Sequence, residues 1–140
     1  MVNKLEWKFF KKHLKYNDEE MKIFKENPRN EAVISKAREL QKKTIIIEVI
    51  HAQGCNTQHA VGDKFVFDGF GNLITKLSPS RICVGILSSL AGLIFGAHEL
   101  MYAGVDPNTM KFNTVDCIDV GVRCGGWGKV VVQLRVEDRK

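Results

Sequence analysis

The chain reads as an α+β protein: N-terminal helices, then a small antiparallel sheet packed on one long apolar helix. Three observations predict this. Residues 1–43 are polar, with apolar side chains recurring at helical spacing. From Thr44 the pattern changes to runs of β-branched residues, first at Thr44–Ile50 and last at Lys129–Val136. Between them, Ile82 to Ala97 carry no charged side chain. That run falls short of the roughly 20 residues needed to span a bilayer. Arg81 and His98-Glu99 close it at either end, so it reads as a buried core helix rather than a membrane span. Two regions follow: a helical segment, 1–43, and a cysteine-containing α+β domain, 44–140.

Taken in order, Leu5, Phe9 or Phe10 and Leu14 give a first helix its apolar side. Tyr16-Asn17 breaks it. Asn17 or Asp18 caps a second helix with Glu19 and Glu20 in its first turn, where acidic groups meet the positive end of the helix dipole. Met21, Ile23 and Phe24 form its apolar side, and Asn27-Pro28 ends it. A third helix fits Asn30 to Gln41. Thr44–Ile50 is a strand, and Gly54–Val61 a loop. Gly62-Asp63 then introduces a strand at Lys64–Phe67, which turns at Asp68–Asn72 into a short return strand at Leu73–Lys76. Ser78-Pro79 suits the start of the long helix, with serine as N-cap and proline at the first helical position. Gly104 and Asp106-Pro107 end it near Ala103. Its small residues, Gly85, Ser88 or Ser89, Gly92 and Gly96, form a stripe on which the sheet or a partner's helix can pack. Thr114–Arg123 and Lys129–Val136 pair as antiparallel strands across the Cys124–Gly128 loop. Trp127 in that loop is a candidate contact for a ligand or partner.

At 140 residues the chain is long enough to bury a core without disulfides or metal. Its 44% hydrophobic and 26% charged content is ordinary for a globular protein. The net charge is +5, concentrated early: Lys4, Lys8, Lys11, Lys12 and Lys15 face only Glu6 over the first fifteen residues. This arm is a solvated helix face or a contact for nucleic acid, a membrane surface or an acidic partner. No RNA-binding, zinc-finger or helix-turn-helix pattern accompanies it, which argues against nucleic acid. Early charges leave no secretory signal, so the expected location is cytoplasmic and the four cysteines are expected to be reduced thiols.

The chemistry lies in those thiols. His51, Cys55 and His59 fall at the end of a strand and in the loop after it. Two imidazoles and a thiolate can ligate zinc or iron, with Cys83, Cys117 or Cys124 brought in by the fold to complete a site or hold an iron–sulfur cluster. The same groups can form a reactive thiol site, Cys55 beside His51 or His59 with Asp63 orienting the imidazole. Cys83 lies at the start of the long helix, where the dipole and free N–H groups favour thiolate.

Cys55, His59, Gly62-Asp63, Cys83 and Cys117-Ile118-Asp119 also carry a family resemblance. From Thr44 onward the chain resembles a family of small uncharacterised prokaryotic proteins of about ninety residues. That family has a strand, a cysteine with a histidine shortly after, a Gly-Asp, a helix with an early cysteine, and a Cys-Pro-Asp before a final strand. Ile118 stands where the family has proline. The resemblance singles out Cys55, His59, Cys83 and Cys117 ahead of His51 and Cys124. It implies an accessory role beside enzymes of anaerobic metabolism.

The expected function is therefore a small accessory or regulatory subunit of a larger cytosolic enzyme. It would dock through the helical segment and the small-residue face of the long helix, as a hetero-complex or a homo-oligomer, and could bind a metal through its Cys/His groups. The alternative is a stand-alone metal- or thiol-dependent enzyme using the same cluster.

Overall fold

The computed structural model describes residues 2–140. It forms two compact units, residues 1–39 and 40–140. The first unit is helical: α1 (Lys4–Leu14), α2 (Asp18–Glu26) and α3 (Pro28–Ser35), with a short α4 (Ala37–Leu40) at the junction. Two asparagines set the starts of α1 and α2 by the same device. The Asn3 side chain accepts the Glu6 N–H and the Glu6 carboxylate accepts the Asn3 N–H, both at 2.9 Å. Asn17 and Glu20 repeat this at 2.8 Å. Each pair satisfies two N–H groups that the first helical turn leaves free.

Within this unit the packed side is aromatic. Trp7 meets Phe24 edge-on at 6.2 Å, and Tyr16 lies 5.4 Å from the same ring. Leu5 and Phe9, which the helical spacing placed on the apolar side, are 75% and 55% exposed. The third helix begins at Pro28, because Asn27 both ends α2 and caps α3 through a bond from the Arg29 N–H. Proline suits that first position. A break at Lys36 then splits the expected 30–41 helix into α3 and α4.

The second unit is a four-stranded antiparallel sheet with one long helix. Strands β1 (Lys43–Gln53), β2 (Lys64–Asp68), β3 (Thr114–Asp116) and β4 (Lys129–Asp138) are ordered β2-β1-β4-β3. Helix α5 (Val84–Tyr102) packs on one face. Alternation fixes what faces it: Ile45, Ile47 and Val49 of β1, Val130, Val132, Leu134 and Val136 of β4, and Phe65 of β2 are all buried. Ile47 stands opposite both Phe65 and Leu134. From the helix side, Ile86, Leu90, Ile94, Ala97 and Met101 complete the core. By length and composition alone α5 would pass as a membrane span. Its apolar face is instead the core of this unit.

One irregularity in β1 matters for the site. The register slips between Val49 and His51, so Val49 faces Val132 and His51 faces Val131. The extra residue, Ile50, reverses the alternation. Ala52, not His51, then points inward opposite Val130, and His51 is exposed.

Three local expectations are corrected. Leu73 makes a single bridge to Phe67 and the chain enters a 3₁₀ turn at Thr75–Leu77, so no return strand forms. Ser78 does not cap α5. Its hydroxyl accepts the Val66 N–H at 3.0 Å and donates to the Ile74 carbonyl at 2.9 Å, so it braces β2 instead. The N-cap of α5 is Cys83. In the last third, strand ends at Asp116, and a 3₁₀ turn at Val122–Cys124 replaces the expected strand end. Two glycines of the small-residue stripe meet the chain that follows α5 rather than the sheet, while Gly92 between them has nothing within 4 Å. A Cβ at Gly85 would lie 3.1 Å from Ile118, and one at Gly96 would lie 3.2 Å from the Met110 sulfur.

Candidate functional site: a thiol-lined cavity

A cavity of about 430 Å³ opens at the end of the sheet, wholly within the second unit. Cys55, Thr57 and His59 reach it from the loop after β1, Cys83 from the start of α5, and Cys117 from the end of β3. Val84, Ile86, Ile118 and Val130 supply apolar wall. Each thiol is half-buried. No lysine, arginine or unspent carboxylate is in the lining, because the Asp119 carboxylate accepts the N–H groups of Gly121, Trp127 and Gly128.

Backbone contacts place these groups. Gly54 adopts φ +66°, a left-handed conformation that favours glycine. It runs directly against Gly128, where a Cβ would sit 2.2 Å from the Gly54 carbonyl oxygen. The Cys55 loop is thereby pinned to the start of β4. Its far end is held by the Asp63 carboxylate on the Ala60 N–H (2.9 Å) and by the Gly62 N–H on the Val49 carbonyl (2.9 Å). His59 packs edge-on against Phe65 at 5.3 Å and is only 5% exposed.

The His59 Nε2 atom accepts the Cys83 backbone N–H at 3.4 Å. Its proton therefore resides on Nδ1, which lies 3.9 Å from the Asp63 carboxylate. Burial lowers the pKa of His59, with the Asp63 charge opposing. The cavity thus contains a neutral imidazole. The Cys83 sulfur accepts the Gly85 N–H at 3.4 Å. That bond is the chief reason the Cys83 thiol is lowered below its ordinary pKa; burial opposes it, and the Ile86 N–H and Thr57 hydroxyl assist. A sulfur at an N-cap accepting helix N–H groups is a setting that favours thiolate. Cys117 is tied differently: its sulfur accepts the Val130 N–H at 3.4 Å and lies 3.9 Å from the Asp119 carbonyl.

The two remaining candidates lie elsewhere. The bulge turns His51 away, to a smaller nook beside Trp127, and Cys124 is exposed in its 3₁₀ turn. His98, which closes the charge-free run of α5, is buried, with Nε2 at 3.1 Å from the Gly69 carbonyl. Burial also lowers its pKa. Both buried imidazoles therefore bind fewer protons than in the unfolded chain at mildly acidic pH. Stability is expected to be full above the ordinary histidine pKa of about 6.5 and to fall as pH drops through the lower folded values. Urea unfolding between pH 7.5 and pH 5 checks this, and His98→Gln should flatten part of the slope.

The donor types suit zinc, iron or an iron–sulfur cluster. Their arrangement does not form a ready cage. Among the described residues no group of three or more His, Cys, Asp or Glu side chains is gathered to hold a metal ion. The His59 Nε2 lone pair is already spent on the Cys83 N–H, so that bond would have to break for Nε2 to ligate a metal, whereas the Cys83 and Cys117 sulfurs can keep their N–H bonds and still ligate.

Sequence reading did not foresee Thr57 in the cavity lining, because a threonine in a polar loop carries no distinguishing signal. The Gly54–Gly128 contact left a trace only as a glycine in each of two loops.

The fold and site define an α+β protein with a cavity of thiols and one neutral imidazole. No family model and no curated protein matches the chain. Among solved structures it is similar to a xanthine dehydrogenase from Bacillus halodurans, at 20% identity and a TM-score of 0.41. The similarity covers 79% of this chain and 30% of that one.

Proposed function

We propose that the protein is a small accessory or regulatory subunit of a larger cytosolic enzyme, and that its contribution is the thiol cavity, with the Cys83 thiolate as the working group. The observation that carries this is convergence. Cys55 and His59 from one loop, Cys83 from the start of α5 and Cys117 from the end of β3 line one cavity. A free cysteine that is merely core packing has no reason to meet two others there. The same positions carry the resemblance to the small prokaryotic family, which supports the same reading.

What the cavity lacks narrows the role. A thiol enzyme needs a base within reach of its nucleophile. The only imidazole in the lining spends its free nitrogen on a backbone N–H, and the only carboxylate is spent on its own loop. Capture of a soft electrophile or thiophilic ligand fits these groups better than acid–base turnover. The stand-alone thiol-dependent enzyme keeps one specific support, the lowered Cys83 pKa.

Isolation of the native chain without oxygen separates the two. Elution with a stoichiometric larger polypeptide, whose activity falls when the Cys83→Ser chain replaces the parent, is the expected outcome. A chain that elutes alone and shows Cys83-dependent turnover would overturn it in favour of the stand-alone enzyme.

A further inference from the structure

The segment from Asp119 to Gly128 is braced from within, yet it turns large apolar side chains to solvent. One carboxylate does the bracing: Asp119 accepts the N–H groups of Gly121 at 2.9 Å, Trp127 at 3.0 Å and Gly128 at 3.1 Å. The loop is so tight that a Cβ at Gly126 would lie 2.0 Å from the Asp119 carboxylate. On its outer side Val120, Val122 and Trp127 are exposed, Trp127 at 73%. An aromatic side chain on a preformed loop offers contact area at little ordering cost, which is why tryptophan dominates interface hot spots.

Beside Trp127 lies a nook of about 180 Å³ lined by His51, Arg123 and Lys129, with no carboxylate in its lining. Lys129 is paired with Asp116 at 2.8 Å. Arg123 makes no ion pair among the described residues. The nook is smaller than the roughly 300–1,000 Å³ of small-molecule sites, so it suits one side chain of a larger partner.

We infer that this loop docks a protein partner, and that the segment it takes is acidic with one apolar side chain among its carboxylates. The carboxylates meet Arg123 and the neighbouring His51, while the apolar side chain seats on Trp127 and Val122. Nucleic acid fits less well. A phosphate track needs a row of cations, whereas here valines flank a single unpaired arginine. The inference rests on the accessory-subunit reading only in needing a partner. It does not depend on the thiols.

The test uses the full chain with Trp7→Phe, which leaves Trp127 as its one tryptophan. The probe is a glutamate-rich synthetic peptide with a single central leucine, at about 0.15 M salt to suppress diffuse attraction. A saturable shift in Trp127 emission is expected. Arg123→Glu should weaken binding about tenfold, and Trp127→Ala, followed by anisotropy of a labelled peptide, should weaken it comparably. A lysine-for-glutamate peptide, silent on the parent, should bind the Arg123→Glu chain. That gain shows that the variant is folded. Acidic-peptide binding indifferent to both substitutions would overturn the inference and assign the probe to the basic helix at residues 4–14. Tighter binding of a single-stranded oligonucleotide of equal charge, lost in both variants, would overturn it in favour of nucleic acid. Cys83 alkylation in the same variants stays at the parent rate, so failure here leaves the thiol reading standing.

Discussion

Cys83 is expected to be alkylated by iodoacetamide ahead of Cys55 and Cys117, with a rate midpoint below the ordinary thiol pKa. The physical cause is local. Its sulfur caps α5 and accepts the Gly85 N–H, with the Ile86 N–H and the Thr57 hydroxyl adding to the stabilisation of the thiolate. Thiolate, not thiol, is the attacking species, so a lowered pKa raises the reactive fraction near neutrality. Part of that gain is offset because nucleophilicity falls with pKa. A rate advantage of roughly three- to tenfold over Cys55 and Cys117 follows at neutral pH. Mapping each alkylated thiol by mass against pH measures it. Thr57→Val removes a hydroxyl that helps lower the Cys83 thiol pKa and should move the Cys83 midpoint upward. Cys83→Ser should abolish the fast phase and keep the fold, because serine is itself a good N-cap. A Cys83 midpoint at the ordinary thiol pKa would sink the assignment of Cys83 as the working thiol.

How far these features were legible in the sequence depends on what decides each of them. The β1 and β4 strands were legible because their β-branched runs are long and local. So was α5, because a charge-free run bounded by charged residues has few other uses in a protein with a core. Competition at the start of α5 was not legible. Ser78-Pro79 is a good local signature, but the serine hydroxyl makes two bonds to strand β2 and the segment before it, and the helix starts later, at Cys83. His51 failed for a similar reason. Strict alternation turns it toward Val49's face, and one extra residue at Ile50 turns it away. In α1, spacing told which residues share a face, but not which face is covered. Leu5 and Phe9 share one and are exposed. The convergence of Cys55, Cys83 and Cys117 is a property of strand order. The end of β1 lies beside the start of β4, and β3 lies on β4's other side, so two loops distant in sequence open on the same end of the sheet. Neither loop records that pairing.

Two glycine-to-alanine substitutions in this unit are expected to act in opposite directions, and the larger effect bears on the site. At Gly128 a Cβ would meet the Gly54 carbonyl oxygen at 2.2 Å, its carbon at 2.3 Å and the Gln53 carbonyl oxygen at 2.5 Å. All three are backbone atoms, so no side chain can rotate aside. The Gly54 end of the Cys55 loop must lift from β4 or β4 must shift, at a cost of about 3 kcal/mol. Gly128→Ala should therefore lower the urea midpoint and also speed alkylation of Cys55, since the contact that pins its loop is the one broken. Gly92, within α5, has nothing within 4 Å of its missing Cβ. Gly92→Ala should stabilise by about 0.5–1 kcal/mol through helix propensity alone, with thiol reactivity unchanged. The pair separates two causes that a single destabilised variant would confound. Faster Cys55 alkylation in Gly128→Ala, measured far below its urea midpoint, reports a locally opened cavity rather than global unfolding. Equal Cys55 rates in the parent and Gly128→Ala chains would mean that Asp63 and Gly62, at the far end of the loop, hold the cavity closed without the glycine contact.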